Sequence, residues 1–190
     1  QKDYNDRCKA AAFIGTLQAS YTDFHYLRDV WKKTTEKEAL LGIGMTGIAS
    51  GNVLKLNMKE AAKVACSENE RVADIIGINK AARITTVKPS GTTSLVLGTS
   101  SGIHAWHSDY YIRRIRLGKN EPLYTYLAIN HPELLEDDYF KPHLQSIVCI
   151  PQKSPEGAIT RKTESALTLL ERIKLINKEW IKPGYRKGAN

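Results

Sequence analysis

Residues 83–104, RITTVKPSGTTSLVLGTSSGIH, decide how this chain is read. The β-branched run from Ile84 to Val87 stops at Pro89 and gives way to Ser90, Gly91, Thr92, Thr93 and Ser94, after which Leu95, Val96 and Leu97 are apolar again. That order predicts a strand, a tight loop and the first turn of a short helix. Proline lacks an N–H and suits a first helical turn, glycine lets backbone come close to a ligand, and the hydroxyls stand beside free N–H groups at the positive end of the helix dipole. A turn of this kind can hold a phosphate. The same residues also build an ordinary strand-to-helix connection whose hydroxyls cap backbone groups, so the turn alone leaves both readings open. It is not a P-loop, because Lys88 precedes the glycine and no Gly-x-x-x-x-Gly-Lys-Ser/Thr string is present. The candidate phosphate ligands are Pro89, Ser90, Gly91, Thr92, Thr93 and Ser94, with Lys88 and His104 as secondary candidates.

His104 and His107 flank Trp106 just after the loop, where an imidazole could assist phosphate or base binding or simply hydrogen-bond a turn. Their spacing suits a metal only on a helix with a third ligand. None is evident, so no metal is expected.

Working outward, Ala10, Phe13, Ile14, Leu17, Tyr21 and Phe24 recur at helical spacing, which predicts an amphipathic helix over residues 3–27 packed by that stripe. Glycines at 42, 44, 47 and 51 interrupt the pattern and predict a turn where backbone packs closely. Asn57 and Glu60 form an N-cap pair for a helix with Met58, Ala61, Ala65, Val72 and Ile76 on its inner face. Tyr110 to Leu117 reads as a strand, Glu121 to Asn130 as a short helix, and Ser146 to Ile150 as a buried strand closed by Pro151. A long helix is expected from Thr163 to Trp180, with Ala166, Leu169, Leu170, Ile173 and Trp180 on one stripe and Pro183-Gly184 as its stop. Helices alternating with strands predict an α/β fold, as a sheet or a barrel.

Composition bounds the function. The chain has 190 residues, 42% hydrophobic and 25% charged, enough for a core of ordinary domain size. No apolar run is long enough to span a bilayer and no signal-peptide pattern opens the chain, so it reads as cytoplasmic. Cys8, Cys66 and Cys149 have no CxxC pairing, which argues against a disulfide framework or a zinc site. The net charge of +8 suits nucleotide phosphates or nucleic acid. Its cations are scattered, apart from Arg113, Arg114, Arg116 and Lys119, so most of this charge reads as solvated surface and a nucleic-acid partner is not expected.

The longer string VKPSGTTSLVLGTSSGIH, continued by WHSDYYIRRIRLGKNE, resembles the catalytic subunit of ribonucleotide reductases, and most of all the adenosylcobalamin-dependent class II enzymes. GIGMTGIA at Gly42 to Ala49 and PGYRKGAN at Pro183 to Asn190 agree with that family in order. The resemblance implies that Pro89 to Ser94 cradle the substrate's phosphates. It also implies a ten-stranded α/β barrel of which residues 1–190 are the C-terminal portion, cut at both ends. The implied reaction reduces the ribose 2′ position of a ribonucleoside tri- or diphosphate through a thiyl radical. Adenosylcobalamin would be the cofactor, a thioredoxin-like dithiol the reductant, and allosteric nucleotides would act through regions outside this segment. The family's Asn-x-Cys-x-Glu-like radical motif is not found, since Cys8, Cys66 and Cys149 lack its flanking residues. A class I diphosphate reductase large subunit and a stand-alone phosphate-ligand module are the alternative readings.

Overall fold

The computed structural model describes residues 1–186. They form helices α1 (Lys2–Ala19), α2 (Asp29–Glu38), α3 (Met58–Ile76), α4 (Gly91–Val96), α5 (Pro122–Asn130) and α6 (Ala166–Ile176), with strands β1 (Tyr110–Gly118), β2 (Leu135–Asp137) and β3 (Gln145–Lys153). Two compact units result, one of residues 1–105 with 164 onward, the other of residues 106–163.

In the first unit α3 follows its sequence signals. Asn57 Oδ1 accepts the Glu60 N–H at 3.0 Å, and Gly77 ends the helix with a left-handed φ of 73°. Its buried face, Met58, Ala61, Ala62, Ala65, Asn69, Val72 and Ala73, meets α1 through Cys8, Ala12 and Thr16. These small residues let the two helices approach closely. Asn69 sits at the centre, donating to Thr16 Oγ1 at 2.9 Å and accepting the Ala81 N–H at 3.0 Å. A buried amide with both ends partnered ties α1, α3 and the chain entering residue 82 together.

The face expected for α1 is wrong. Phe13, Ile14, Leu17 and Tyr21 are exposed, and the buried stripe lies one step round at Cys8, Ala12 and Thr16. The helix also stops at Ala19 rather than 27, where the Ser20 hydroxyl and N–H both bond Leu17 O. Serine competing locally for a helix carbonyl is a common way for a helix to end. The helix α2 has no buried residue and no counterpart in the sequence reading.

The expected strand at Ile84 to Val87 is a short extended run over residues 82–86, bonded on both edges. Ile43 N–H donates to Ile84 O at 3.0 Å and Thr86 N–H to Ile43 O at 2.9 Å, a parallel pairing. On the other edge Ile84 N–H donates to Gly184 O at 3.0 Å and Arg186 N–H to Ala82 O at 3.2 Å, an antiparallel one. The fold class, mixed helix and sheet, is as expected. A ten-stranded barrel is not formed by the described residues.

The last helix is shorter than expected, with α6 ending at Ile176 and running into a wider turn at 177–181 and a tight one at 182–184. Arg172, Ile176 and Trp180 are its buried line, whereas Leu170 and Ile173 are exposed. Trp180 is fully buried, donates from Nε1 to Thr86 O at 3.2 Å, and its carbonyl takes the Thr85 hydroxyl at 2.8 Å. PGYRKGAN is seen only as far as Arg186, and its last four residues lie outside the described ones.

The second unit is an antiparallel sheet in the order β1-β3-β2. Its central strand β3 runs through Pro151 instead of ending there, with Pro151 opposite Ile112. The strand β2 pairs only with Ser146 to Val148, so beyond them one edge of β3 is free, and proline is tolerated on such an edge. The cationic stretch is largely neutralised, with Arg114 paired to Glu136, Arg116 to Asp138 at 2.9 Å and Lys119 to Asp137 at 2.6 Å.

Trp180→Ala should destabilise the chain by about 3–5 kcal/mol, the usual cost of emptying a buried aromatic site, read by urea unfolding. A separate acid response is expected from Asp138. The Arg116 hydrogen bond, helped by the N–H groups of Lys141 and Phe140, holds its carboxyl below the ordinary carboxylate range. A depressed carboxyl contributes stability that is present above the unfolded pKa of about 3.9 and is lost as pH falls through the lower folded value. Urea melts at pH 7 and pH 3 should show a larger drop for the parent chain than for Asp138→Asn, which has no proton to gain.

Candidate phosphate-binding site

The loop leaves the extended run at Val87 and enters α4 with Ser90 as N-cap. Ser90 does not cap with its side chain. Its hydroxyl donates to Thr46 Oγ1, which in turn donates to Ser100 O at 3.3 Å. Ser94 is 4% exposed and donates to Ser90 O and to Gly91 O, bonding back onto its own helix turn. Two of the candidate hydroxyls are therefore used to hold the loop. Thr92 and Thr93 are exposed, and their hydroxyls have no partner among the described residues. Pro89 is exposed as well.

Gly91 is not required by the backbone, since its φ lies outside the left-handed region and a Cβ there would meet nothing within 4 Å. The space beside it is open. Lys88 is better placed than its position in the sequence suggests. A Cβ on Gly42 would lie 2.9 Å from Lys88 Nζ, and one on Gly44 would lie 3.4 Å from Lys88 Cδ. The two glycines form a saddle for the lysine stem, with the ammonium unpaired among the described residues. His104 stays with its own turn, its Nδ1 3.3 Å from Ser101 O, and forms no hydrogen bond to residues 88–94. His107 belongs to the second unit, its ring 5.5 Å from that of Tyr111. Among the described residues no group of His, Cys, Asp and Glu could hold a metal.

The sequence reading missed the floor under the loop. Gly102 has a left-handed φ of 56°, and a Cβ on it would fall 2.6 Å from Lys88 O. Ser101 Oγ donates to Ser90 O at 3.2 Å, and Gly102 O accepts the Ile48 N–H at 2.9 Å. Beside them Ser50 bonds Thr99 Oγ1 at 3.0 Å and Ser100 Oγ at 3.1 Å. The glycine-rich run of 42–50 and the stretch of 99–102 thus clamp the loop between them. Gly102, five residues past the apolar run that ends at Leu97, was the available signal.

The cysteines stand apart from this site. Burial pushes the Cys8 thiol up to about 11 and raises Cys66 and Cys149, so all three favour the protonated state. Gly102→Ala should cost about 1–3 kcal/mol through strain and contact with the Lys88 carbonyl, with amide exchange at 88–94 accelerating more than that of α3.

No protein-family model matches the chain. It is 30% identical over 154 residues, 74% of its length, to the probable adenosylcobalamin-dependent ribonucleoside-triphosphate reductase of Dictyostelium discoideum. It is 36% identical over 163 residues, 70% of its length, to the adenosylcobalamin-dependent ribonucleoside-triphosphate reductase of Lacticaseibacillus paracasei. With the enzyme of that name from Lactobacillus helveticus it shares 44% over 143 residues, 57% of its length. These alignments cover 19%, 21% and 19% of the relatives, so the chain spans about a fifth of their length. In fold it is similar to a crystal structure of a B12-dependent, class II ribonucleotide reductase, with a TM-score of 0.71 at 20% identity, over 90% of this chain and 29% of that one. Sequence relatives and fold agree: the chain is homologous to a segment of enzymes named adenosylcobalamin-dependent ribonucleoside-triphosphate reductases, and its fold matches part of a class II ribonucleotide reductase.

Proposed function

We propose that this chain supplies the substrate-phosphate loop of a ribonucleoside-triphosphate reductase, an oxidoreductase that makes deoxyribonucleotides by removing the ribose 2′-hydroxyl. The observation that carries the reading is its match, over 74% of its length, to a protein named as such a reductase. In this reading residues 1–190 form part of the ten-stranded α/β barrel, on its C-terminal side, in a cytoplasmic enzyme. The reaction runs through a thiyl radical. A thioredoxin-like dithiol restores the reducing cysteines, and allosteric nucleotides regulate the whole reductase.

Adenosylcobalamin, for which the relatives are named, supplies the radical-generating chemistry when bound. Clefts for drug-sized ligands run roughly 300–1,000 Å³, and a corrin with its nucleotide and adenosyl groups is far larger than such a ligand. The clefts of 440 Å³ beside Tyr4 and Met45 and of 730 Å³ beside Lys119 and His143 therefore do not fit it.

What this chain's residues do is anchor the substrate. The N–H groups opening α4 and the Thr92 and Thr93 hydroxyls donate to phosphate oxygens, and the Lys88 ammonium adds charge. Ser90 and Ser94 keep the loop in shape. Fixed phosphates orient the ribose, so binding far from the reacting carbon becomes alignment at it. The high thiol pKa values of Cys8, Cys66 and Cys149 fit structural cysteines better than redox ones.

Thr92→Val keeps the shape of the side chain and removes a donor to a charged group, worth about 1.5–3 kcal/mol, or roughly tenfold to a hundredfold in affinity. Gly91→Val fills the open space with two methyl groups and should weaken binding more, without straining the backbone. Calorimetry with CTP and with cytidine should show both variants losing the preference for the phosphorylated ligand. Folded variants that bind CTP as the parent chain does would return the loop to a plain structural turn.

A further inference from the structure

Arg172 is buried deep in the first unit, with 5% of its side chain exposed against 8% for its partner Glu164. Its Nη2 donates to Glu164 Oε1, one residue before Ser165, the N-cap of α6, and its Nη1 donates to Ile103 O at 2.9 Å. Burying an ion pair rarely adds stability, because the loss of hydration offsets the attraction. What a buried guanidinium does supply is direction, since its planar fork fixes two acceptors relative to each other.

The acceptor it fixes is next to the loop floor. Ile103 follows Gly102, whose Cα face lies against Lys88 O and whose carbonyl takes the N–H groups of Ile48 at 2.9 Å and Ala49 at 3.4 Å. Ser101, one residue earlier, holds Ser90 O at 3.2 Å. The three consecutive residues 101–103 are each tied by a polar contact, two to the loop or its clamp and one to Arg172.

We propose that Arg172, held by Glu164, is a positioning residue for the phosphate loop: it locks residues 101–103 as a floor, so that Lys88 to Thr93 are preformed for the phosphates. The inference rests on the phosphate-loop reading above. Its consequence is that the pair matters to phosphate affinity more than to stability, because a preformed loop is spared the ordering cost on binding.

Two variants of the full chain separate these effects. Arg172→Met with Glu164→Met removes both charges together, leaving neither uncompensated, and Arg172→Lys keeps the ion pair but replaces the fork by one ammonium. Binding of CTP and of cytidine is measured by calorimetry and folding by circular dichroism, with Thr92→Val as reference. Both variants should fold and lose roughly tenfold or more in CTP affinity, within the range that small misplacements of a site produce, while cytidine binding is unchanged. Equal loss of both ligands makes Arg172 merely structural and overturns the proposal. If the parent chain prefers CTP, Thr92→Val abolishes that preference and both Arg172 variants keep it, the proposal fails and the phosphate reading stands. A parent chain that does not distinguish CTP from cytidine overturns the reading and the proposal together. Should the double variant not fold, Arg172→Lys decides in the same terms.

Discussion

The peptide groups of residues 82–86 are bonded on both edges, and the position of the loop follows from that. So short a run cannot hold itself extended, and here 41–43 and 184–186 clamp it. The Thr85 hydroxyl adds a third tie, to the carbonyl of the fully buried Trp180. Gly184 permits the approach, since a Cβ there would overlap the Thr85 side chain and lie 2.7 Å from its Cβ. With the run fixed, the chain leaves at Val87 in one direction. Lys88 then falls across the Gly42 and Gly44 backbone, and Ser90 reaches Thr46.

Where the sequence carried local signals the elements were legible. The cap of α3 is a contact between residues three apart, and the extended run, loop and short helix around Pro89 follow from a β-branched run broken by proline and glycine. The packing face was legible in α3, where the expected Met58, Ala61, Ala65 and Val72 are buried, and not in α1 or α6. Apolar periodicity marks stripes that can be buried, and the buried lines are Cys8, Ala12 and Thr16 in α1 and Arg172 and Ile176 in α6, with only Trp180, in the turn after α6, buried as expected. Ile14 at 61% and Leu170 at 59% exposure show larger apolar groups left outside while small or polar ones pack. Close helix approach favours alanine and threonine, and a hydropathy stripe does not register them.

The loop was legible in its course and not in its construction. Residues 88–94 were found from their own composition, whereas the partners that shape them come from elsewhere: Thr46 is 44 residues before Ser90, and Ser101 is 11 after it. Composition also gave every hydroxyl the same standing. Geometry separates them, since a hydroxyl that already donates to a buried carbonyl cannot also donate to a ligand.

That separation carries the chemical argument for the loop. An anion site works best when its donors are fixed before the ligand arrives, because rigidity spares the ordering cost on binding. Donors cannot be fixed by the bonds they must give up to the anion, so a second set of polar groups has to do the fixing. In this chain Ser90 and Ser94 turn inward, to Thr46 and to the carbonyls of Ser90 and Gly91, while Thr92 and Thr93 on the next positions remain exposed. On the proposed reading, the serines at either end of residues 90–94 hold the turn and the two threonines between them present donors. The turn's composition of small hydroxylic residues follows from that division, since serine is compact enough to bond back onto its own helix turn and threonine keeps a donor beside the open space at Gly91.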